Sequence, residues 1–167
     1  MGCRSINNIV DATNYILYLY GQPLHAFDYD KLKDKSGKVD IVVRAAKDDE
    51  KFTTLDDEKR TLTSDMTVIS TKEKAVALAG VMGGQNSEVT DNTTCVLLET
   101  ATFSPAHTSR TSRNLGLISE SSMRYERRVD DADIKAISDA SVALIIELAG
   151  GKVCSVSGTA KDSIVDE

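Results

Sequence analysis

Apolar positions recur along this chain with two periods, and the longer one marks its helices. From Ser5 to Gly21 they keep helical spacing at Ile6, Ile9, Val10, Thr13, Ile16, Leu17 and Tyr20. This predicts an amphipathic helix with Ser5 as N-cap and Gly21 just past its end. Asn14 projects from the edge of that stripe. A second stripe, Ile134, Ile137, Ser141, Leu144, Ile145 and Leu148, follows a cap at Asp130 or Asp131 and stops at Gly150-Gly151. Ser104-Pro105 opens a shorter helix to about Asn114, because Pro suits the first helical position, and Gly116 lies beyond it. The stretch 116–127, dense in hydroxyls and arginines, reads as a loop followed by a strand or short helix.

Elsewhere the apolar runs have strand length. Residues 39–44 and 67–70 read as strands, 52–55 with 60–62 as a hairpin, and 152–156 as a closing strand. Two central runs, 76–79 and 95–101, are rich in Val, Leu and Ala. Residues 21–28 show neither period, and Pro23 cannot continue a helix, so they are expected to form a rigid loop carrying His25. The connections are too short for helical crossovers. The expected fold is α+β, a layered, β-sandwich-like core of mixed, mostly antiparallel sheets with helices packed on one side. One domain is expected over residues 5–158, with 1–4 an expression remnant or disordered and 159–167 a frayed tail.

Composition narrows the class. With 167 residues and 41% apolar content the chain can bury one good core. It has no apolar run near 18 residues, and is expected to be a soluble, cytoplasmic chain outside the membrane. Cys3, Cys95 and Cys154 are odd in number and widely spaced, which argues against a disulfide framework or a zinc site; Cys95 and Cys154 read as small buried hydrophobes. A net charge of −6 disfavours broad contact with a nucleic-acid backbone, so any RNA contact must be local. Five of the arginines, Arg110, Arg113, Arg124, Arg127 and Arg128, nevertheless crowd into one segment. Pairing with Glu120, Glu126 and Asp130 on a solvated face is the plainer account of them.

The two central runs end in residues unusual for buried strands: Gly80, Gly83 and Gly84 in one, Glu99 in the other. They fit a pocket wall, where missing side chains leave room for a ligand and Glu99 supplies an acceptor; a tight turn and an edge ion pair would fit equally. His25 and His107 stand far apart with no metal-ligand spacing. Neither a nucleophile elbow nor a phosphate-binding glycine loop is present. Glycines, a carboxylate, a histidine, an asparagine and hydroxyls can bind a small polar ligand and orient water, but include no evident activated nucleophile.

Five ordered motifs carry a resemblance. They are Ile6-Asn7-Asn8-Ile9-Val10-Asp11-Ala12-Thr13-Asn14-Tyr15, Gly21-Gln22-Pro23-Leu24-His25-Ala26-Phe27-Asp28, Ala79-Gly80-Val81-Met82-Gly83-Gly84, Leu98-Glu99, and Gly116-Leu117 through Arg124-Tyr125-Glu126-Arg127 with Val129-Asp130. Together they resemble the B3/B4 domain of the bacterial phenylalanyl-tRNA synthetase β subunit, from about Ser5 to Gly151. The resemblance implies editing, the hydrolysis of tyrosine wrongly esterified to phenylalanine tRNA. It implies His25 and Asn14 at the ester, where they orient water or the terminal adenosine, and Glu99, Gly80, Ser119, Ser121 and Thr13 around the substrate. Water would attack without a covalent intermediate, helped by the tRNA terminus's own hydroxyl. Ser119 and Ser121 replace the family's usual Thr and Ala, and Arg128 its usual Gly. No metal or cofactor is implied for this domain, whereas the whole synthetase would use ATP and Mg2+. The implied partners are the tRNA acceptor end, the α subunit and the other β-subunit domains in an α2β2 assembly. The alternatives are a non-catalytic structural or RNA-contacting domain, or a free-standing binder of an amino-acid-like ligand.

Overall fold

Residues 68–71 and 75–81 form the middle of the molecule, because their side chains are buried on both faces, while 72–74 make the exposed turn between them. In the computed structural model, which describes residues 4–158, the elements run as α1 (Asn8–Tyr20), β1 (Leu24–Asp28), α2 (Tyr29–Leu32), β2 (Val42–Ala45), β3 (Lys51–Thr53), β4 (Lys59–Thr61), β5 (Thr67–Ser70), β6 (Ala75–Leu78), β7 (Met82–Gly83), β8 (Val96–Thr100), α3 (Pro105–Leu115), α4 (Glu120–Tyr125) and α5 (Ile134–Ala149). The expectations for residues 1–3 and 159–167 lie outside the described residues.

A four-stranded antiparallel sheet, in the order β2-β5-β6-β7, is the middle layer. On one face Val68, Leu78 and Val81 pack with Phe52, Leu62 and Met66 under the β3–β4 hairpin. On the other face Ile69, Val76, Ala77 and Ala79 pack with Phe27, Leu97 and Phe103 under a ribbon made by β1 and β8. Burial from both sides explains why the run at 76–79 does not alternate with polar residues. The chain is therefore α+β with layered antiparallel sheets. α1 packs on β1, α5 on α1, and α3 on β5 and α4.

Several local expectations need correction. Asn7, not Ser5, caps α1, accepting a hydrogen bond from the Val10 N–H at 2.9 Å, while the Ser5 hydroxyl donates to Asp11. Residues 24–28 are a strand rather than a loop: Pro23 fixes only its own φ, and β8 supplies the ladder that the next five residues need. The ambiguous segment 116–127 resolves into α4, which Ser119 and Ser122 close with a reciprocal capping box. α5 starts after Asp133, later than expected, and ends at Gly150. Residues 152–156 are exposed and form no strand, so Cys154 is exposed rather than buried, and Cys95 is half-buried. No helix among the described residues is long and apolar enough to cross a membrane.

Candidate functional site

The register of the β1–β8 ribbon creates the site. Phe27 stands opposite Leu97 and His25 opposite Glu99. Alternate residues of a strand share a face, so these two pairs both point at the middle sheet. The first pair belongs to the core. One step along, the same inward face presents an imidazole and a carboxyl.

Both residues are half-buried, but each turns one fully buried polar atom inward. Among the described residues neither the Nε2 of His25 nor the Oε2 of Glu99 finds a hydrogen-bond partner. Burial pushes the imidazole down to about 4 and the carboxyl up to about 8. Both are thus uncharged at neutral pH. The Phe27 ring meets the imidazole edge to face, with centroids 4.4 Å apart, and holds its orientation. Gly83 backs it: a β-carbon there would lie 2.4 Å from both Cε1 and Nε2 of His25. Only glycine leaves the ring its place.

Tyr125 closes the end of the ribbon. Its hydroxyl donates to the Ala101 carbonyl at 2.9 Å, and the Gln22 amide donates to the carbonyls of Pro23 and Ala101, each at 2.9 Å. Burial and the neighbouring Glu99 carboxyl raise the Tyr125 phenol well above its ordinary value, so it stays a donor. Between these walls lies a cavity of about 40 Å³, lined by His25, Glu99, Gly80, Met82, Ser121 and Tyr125 among others. It has room for a few waters.

The structure brings four of the singled-out residues, His25, Glu99, Gly80 and Ser121, to this cavity. Asn14 and Thr13 do not line it. The Thr13 hydroxyl is spent on the Val10 carbonyl of its own helix. Ser119 does not line it either: its hydroxyl donates to the Val81 carbonyl at 2.6 Å and accepts the Ser122 N–H, fixing α4 against the middle sheet. Gly80 and Gly83 line the cavity as expected of a pocket wall, but the place a side chain would take at each of the three glycines is filled by protein. A β-carbon on Gly80, at φ +71, would strike Thr108, Phe103 and Tyr125, and one on Gly84 would strike Phe52. Sequence reasoning passed over Tyr125 and did not connect Gly83 with the histidine. The signal for Tyr125 was a lone aromatic in a segment otherwise rich in arginine and hydroxyls. Glu99 has no arginine partner, and of the five clustered arginines only Arg124 forms an ion pair, with Glu120 at 2.6 Å, among the described residues.

Uncharged at neutral pH, an imidazole and a carboxyl facing one small cavity can exchange hydrogen bonds with a polar ligand and hold water, each as donor or acceptor. Among the described residues no group of three or more His, Cys, Asp or Glu side chains could hold a metal ion.

Comparison with known proteins gives this site a context. Residues 1–150 match the family model described as the B3/4 domain. The chain is 52% identical over 155 residues to a protein named phenylalanine–tRNA ligase beta subunit from Geobacter sulfurreducens, a match covering 93% of this chain and 19% of that protein. The proteins of the same name from Carboxydothermus hydrogenoformans and Bacillus cereus are 52% and 53% identical, over 91% and 90% of this chain and 18% of theirs. The chain spans about a fifth of the length of these curated relatives.

Proposed function

The chain belongs to the B3/4 domain family, and from that premise we propose that it is an editing domain, which hydrolyses tyrosine wrongly esterified to phenylalanine tRNA for a synthetase that charges that tRNA. The observation that carries the reading is the His25–Glu99 pair, which stands in register across the ribbon and faces one cavity, each side chain with a buried polar atom that has no partner among the described residues.

A synthetic site shaped for phenylalanine cannot strongly reject a near-isostere that merely adds a hydroxyl. A second site can invert that preference. Here the phenol of tyrosine bonds the Glu99 carboxyl, whereas phenylalanine leaves that carboxyl unpaired in a dry pocket. An unpaired buried polar group costs ~1–3 kcal/mol, roughly 5- to 150-fold in discrimination. An uncharged carboxyl suits the task, since it can both accept from and donate to the phenol. The unliganded cavity is too small for an aromatic ring, and Met82, unbranched and half-buried in its lining, is the wall that yields at least cost.

At the ester end, the neutral imidazole of His25 holds water for attack on the carbonyl carbon. Gly83 and Phe27 fix the ring, and such positioning supplies rate without a covalent intermediate. Ser121 lines the same space and adds a hydroxyl to the substrate's surroundings. Partners follow from this reading: the tRNA acceptor end, an α subunit and the other domains of a β subunit.

The test is deacylation of tyrosine-esterified tRNA by the intact synthetase. Glu99→Ala should collapse the preference for tyrosine over phenylalanine esters, and His25→Ala should slow hydrolysis on the order of 10²-fold. Wild-type rates and preference in both variants would refute the assignment.

A further inference from the structure

The pocket leaves Arg127 and Arg128 unexplained. A second, larger hollow opens beside it, a cleft of about 710 Å³ where the end of α1, the end of α4 and the start of α5 meet. Its walls include Tyr20, Gln22, Arg124, Arg127, Arg128 and Asp130. Pocket and cleft share a partition. α4 turns Ser121 and Tyr125 to the pocket, and Met123 and Arg124 to the cleft. Gln22, in the cleft wall, is bonded to the carbonyls of Pro23 and Ala101, which end the ribbon.

The charges of the cleft are unevenly committed. Arg124 is held by Glu120 at 2.6 Å, with its guanidinium 5.4 Å over the Tyr18 ring. Arg127 and Arg128 are exposed, and among the described residues their side chains enter no ion pair and no hydrogen bond. Arg128 holds its guanidinium there at a backbone φ of +70, a left-handed conformation that is strained for a residue with a β-carbon. Asp130 and Asp133 complete the charged lining, the first accepting the Ala132 N–H. Two uncommitted guanidinia and the half-exposed Tyr20 ring match the two demands of single-stranded RNA, a phosphate pair and a stacking surface. The two aspartates restrict the match to one or two phosphates, because a longer anionic strand would run into them. An acidic peptide would engage the guanidinia but leave the ring unstacked.

Resting on the editing reading, we infer that this cleft grips the single-stranded end of the RNA whose ester enters the pocket, with Arg127 and Arg128 on backbone phosphates and Tyr20 against a base. The arrangement spends guanidinia on position, beside a pocket that reads the amino acid.

The test measures fluorescence anisotropy of a labelled single-stranded tetranucleotide RNA ending in adenosine, titrated with the 167-residue chain across a salt series. Two phosphate contacts predict a slope of log K against log salt of about −1.4. Arg128→Gly, which relieves the left-handed residue and keeps the urea midpoint at or above wild type, should bind about fivefold more weakly with a slope shallower by about 0.7. Arg127→Gln should do the same, and Lys59→Gln, at an exposed position of the β3–β4 hairpin away from pocket and cleft, should bind as wild type. Failure of wild type to bind, unchanged affinity and slope in both arginine variants, or tighter arginine-dependent binding of an acidic peptide would each overturn the inference. Lost ester hydrolysis beside intact RNA binding sinks the editing reading alone; hydrolysis without RNA binding sinks this inference alone.

Discussion

Two sets of partly buried polar groups flank the middle sheet, and they are treated in opposite ways. On the hairpin side, Arg60 donates to the Thr54 hydroxyl at 2.8 Å, the Leu115 carbonyl at 3.1 Å and Asp56 at 2.6 Å. Nearby, Arg44 forks onto Glu50 and also reaches the Ser70 hydroxyl and the Ala45 carbonyl. Every such group there has a partner, so its role is explained by the fold. On the ribbon side, His25 and Glu99 face each other across the register, and their buried Nε2 and Oε2 have no partner among the described residues. A fold under selection for stability alone would fill those positions with apolar residues, as it does one step along at Phe27 and Leu97. Satisfied polar groups hold a structure together; unsatisfied ones facing a cavity are kept for something that arrives.

The contrast can be broken by mutation on either side. The largest effect is expected at Arg60. Arg60→Ala strips partners from Thr54, Leu115 and Asp56 and should destabilise the chain by about 3 kcal/mol in urea unfolding, because three hydrogen bonds from one guanidinium are lost together. Ester hydrolysis under conditions where the variant stays folded should be unchanged. A smaller cost, about 2 kcal/mol, is expected for Gly83→Ala, whose methyl group overlaps the His25 ring. That cost should vanish in the double variant Gly83→Ala/His25→Ala, and a double-mutant cycle with no coupling would show that the ring is not held where Gly83 backs it.

How much of this was legible beforehand depends on the distance over which residues meet. The helices α1, α3 and α5, the hairpin and the middle strands followed from local period, since each is decided by residues within a turn or two. Glu99 stood out because a carboxylate at the end of an apolar run conflicts with its neighbours. The histidine was noticed, but on a supposed loop: the strand status of residues 24–28 comes from pairing with β8, which no local pattern encodes. The same long-range register sets His25 against Glu99. The fate of the glycines was equally hidden, because what fills the space at Gly80, Gly83 and Gly84 comes from other elements. Ser119 resembled a substrate contact in sequence, but its hydroxyl caps a helix that local pattern left unresolved.

The smallest effect is a pH signature of the unsatisfied pair. Glu99, raised from 4.5 to about 8, contributes stability that is present below pH 4.5 and lost as pH rises towards 8. His25, lowered from 6.5 to about 4, contributes stability that is present above pH 6.5 and lost as pH falls towards 4. Between pH 4.5 and 6.5 the two trends oppose each other, and the pair's share of stability should be flat. Above pH 6.5 the carboxyl acts alone, so the urea midpoint of wild type should fall up to pH 8 while that of Glu99→Gln does not. Parallel curves would mean that Glu99 is ionised and solvated, and the contrast with Arg60 would lose its force.

The most direct measurement is a crystal structure of the chain with a non-hydrolysable tyrosyl-adenosine ester analogue. The phenolic oxygen should lie within hydrogen-bond distance of the Glu99 carboxyl, with Met82 displaced and the carbonyl carbon on the His25 side. A phenol bound elsewhere, with Glu99 and His25 still unbonded, would contradict the account.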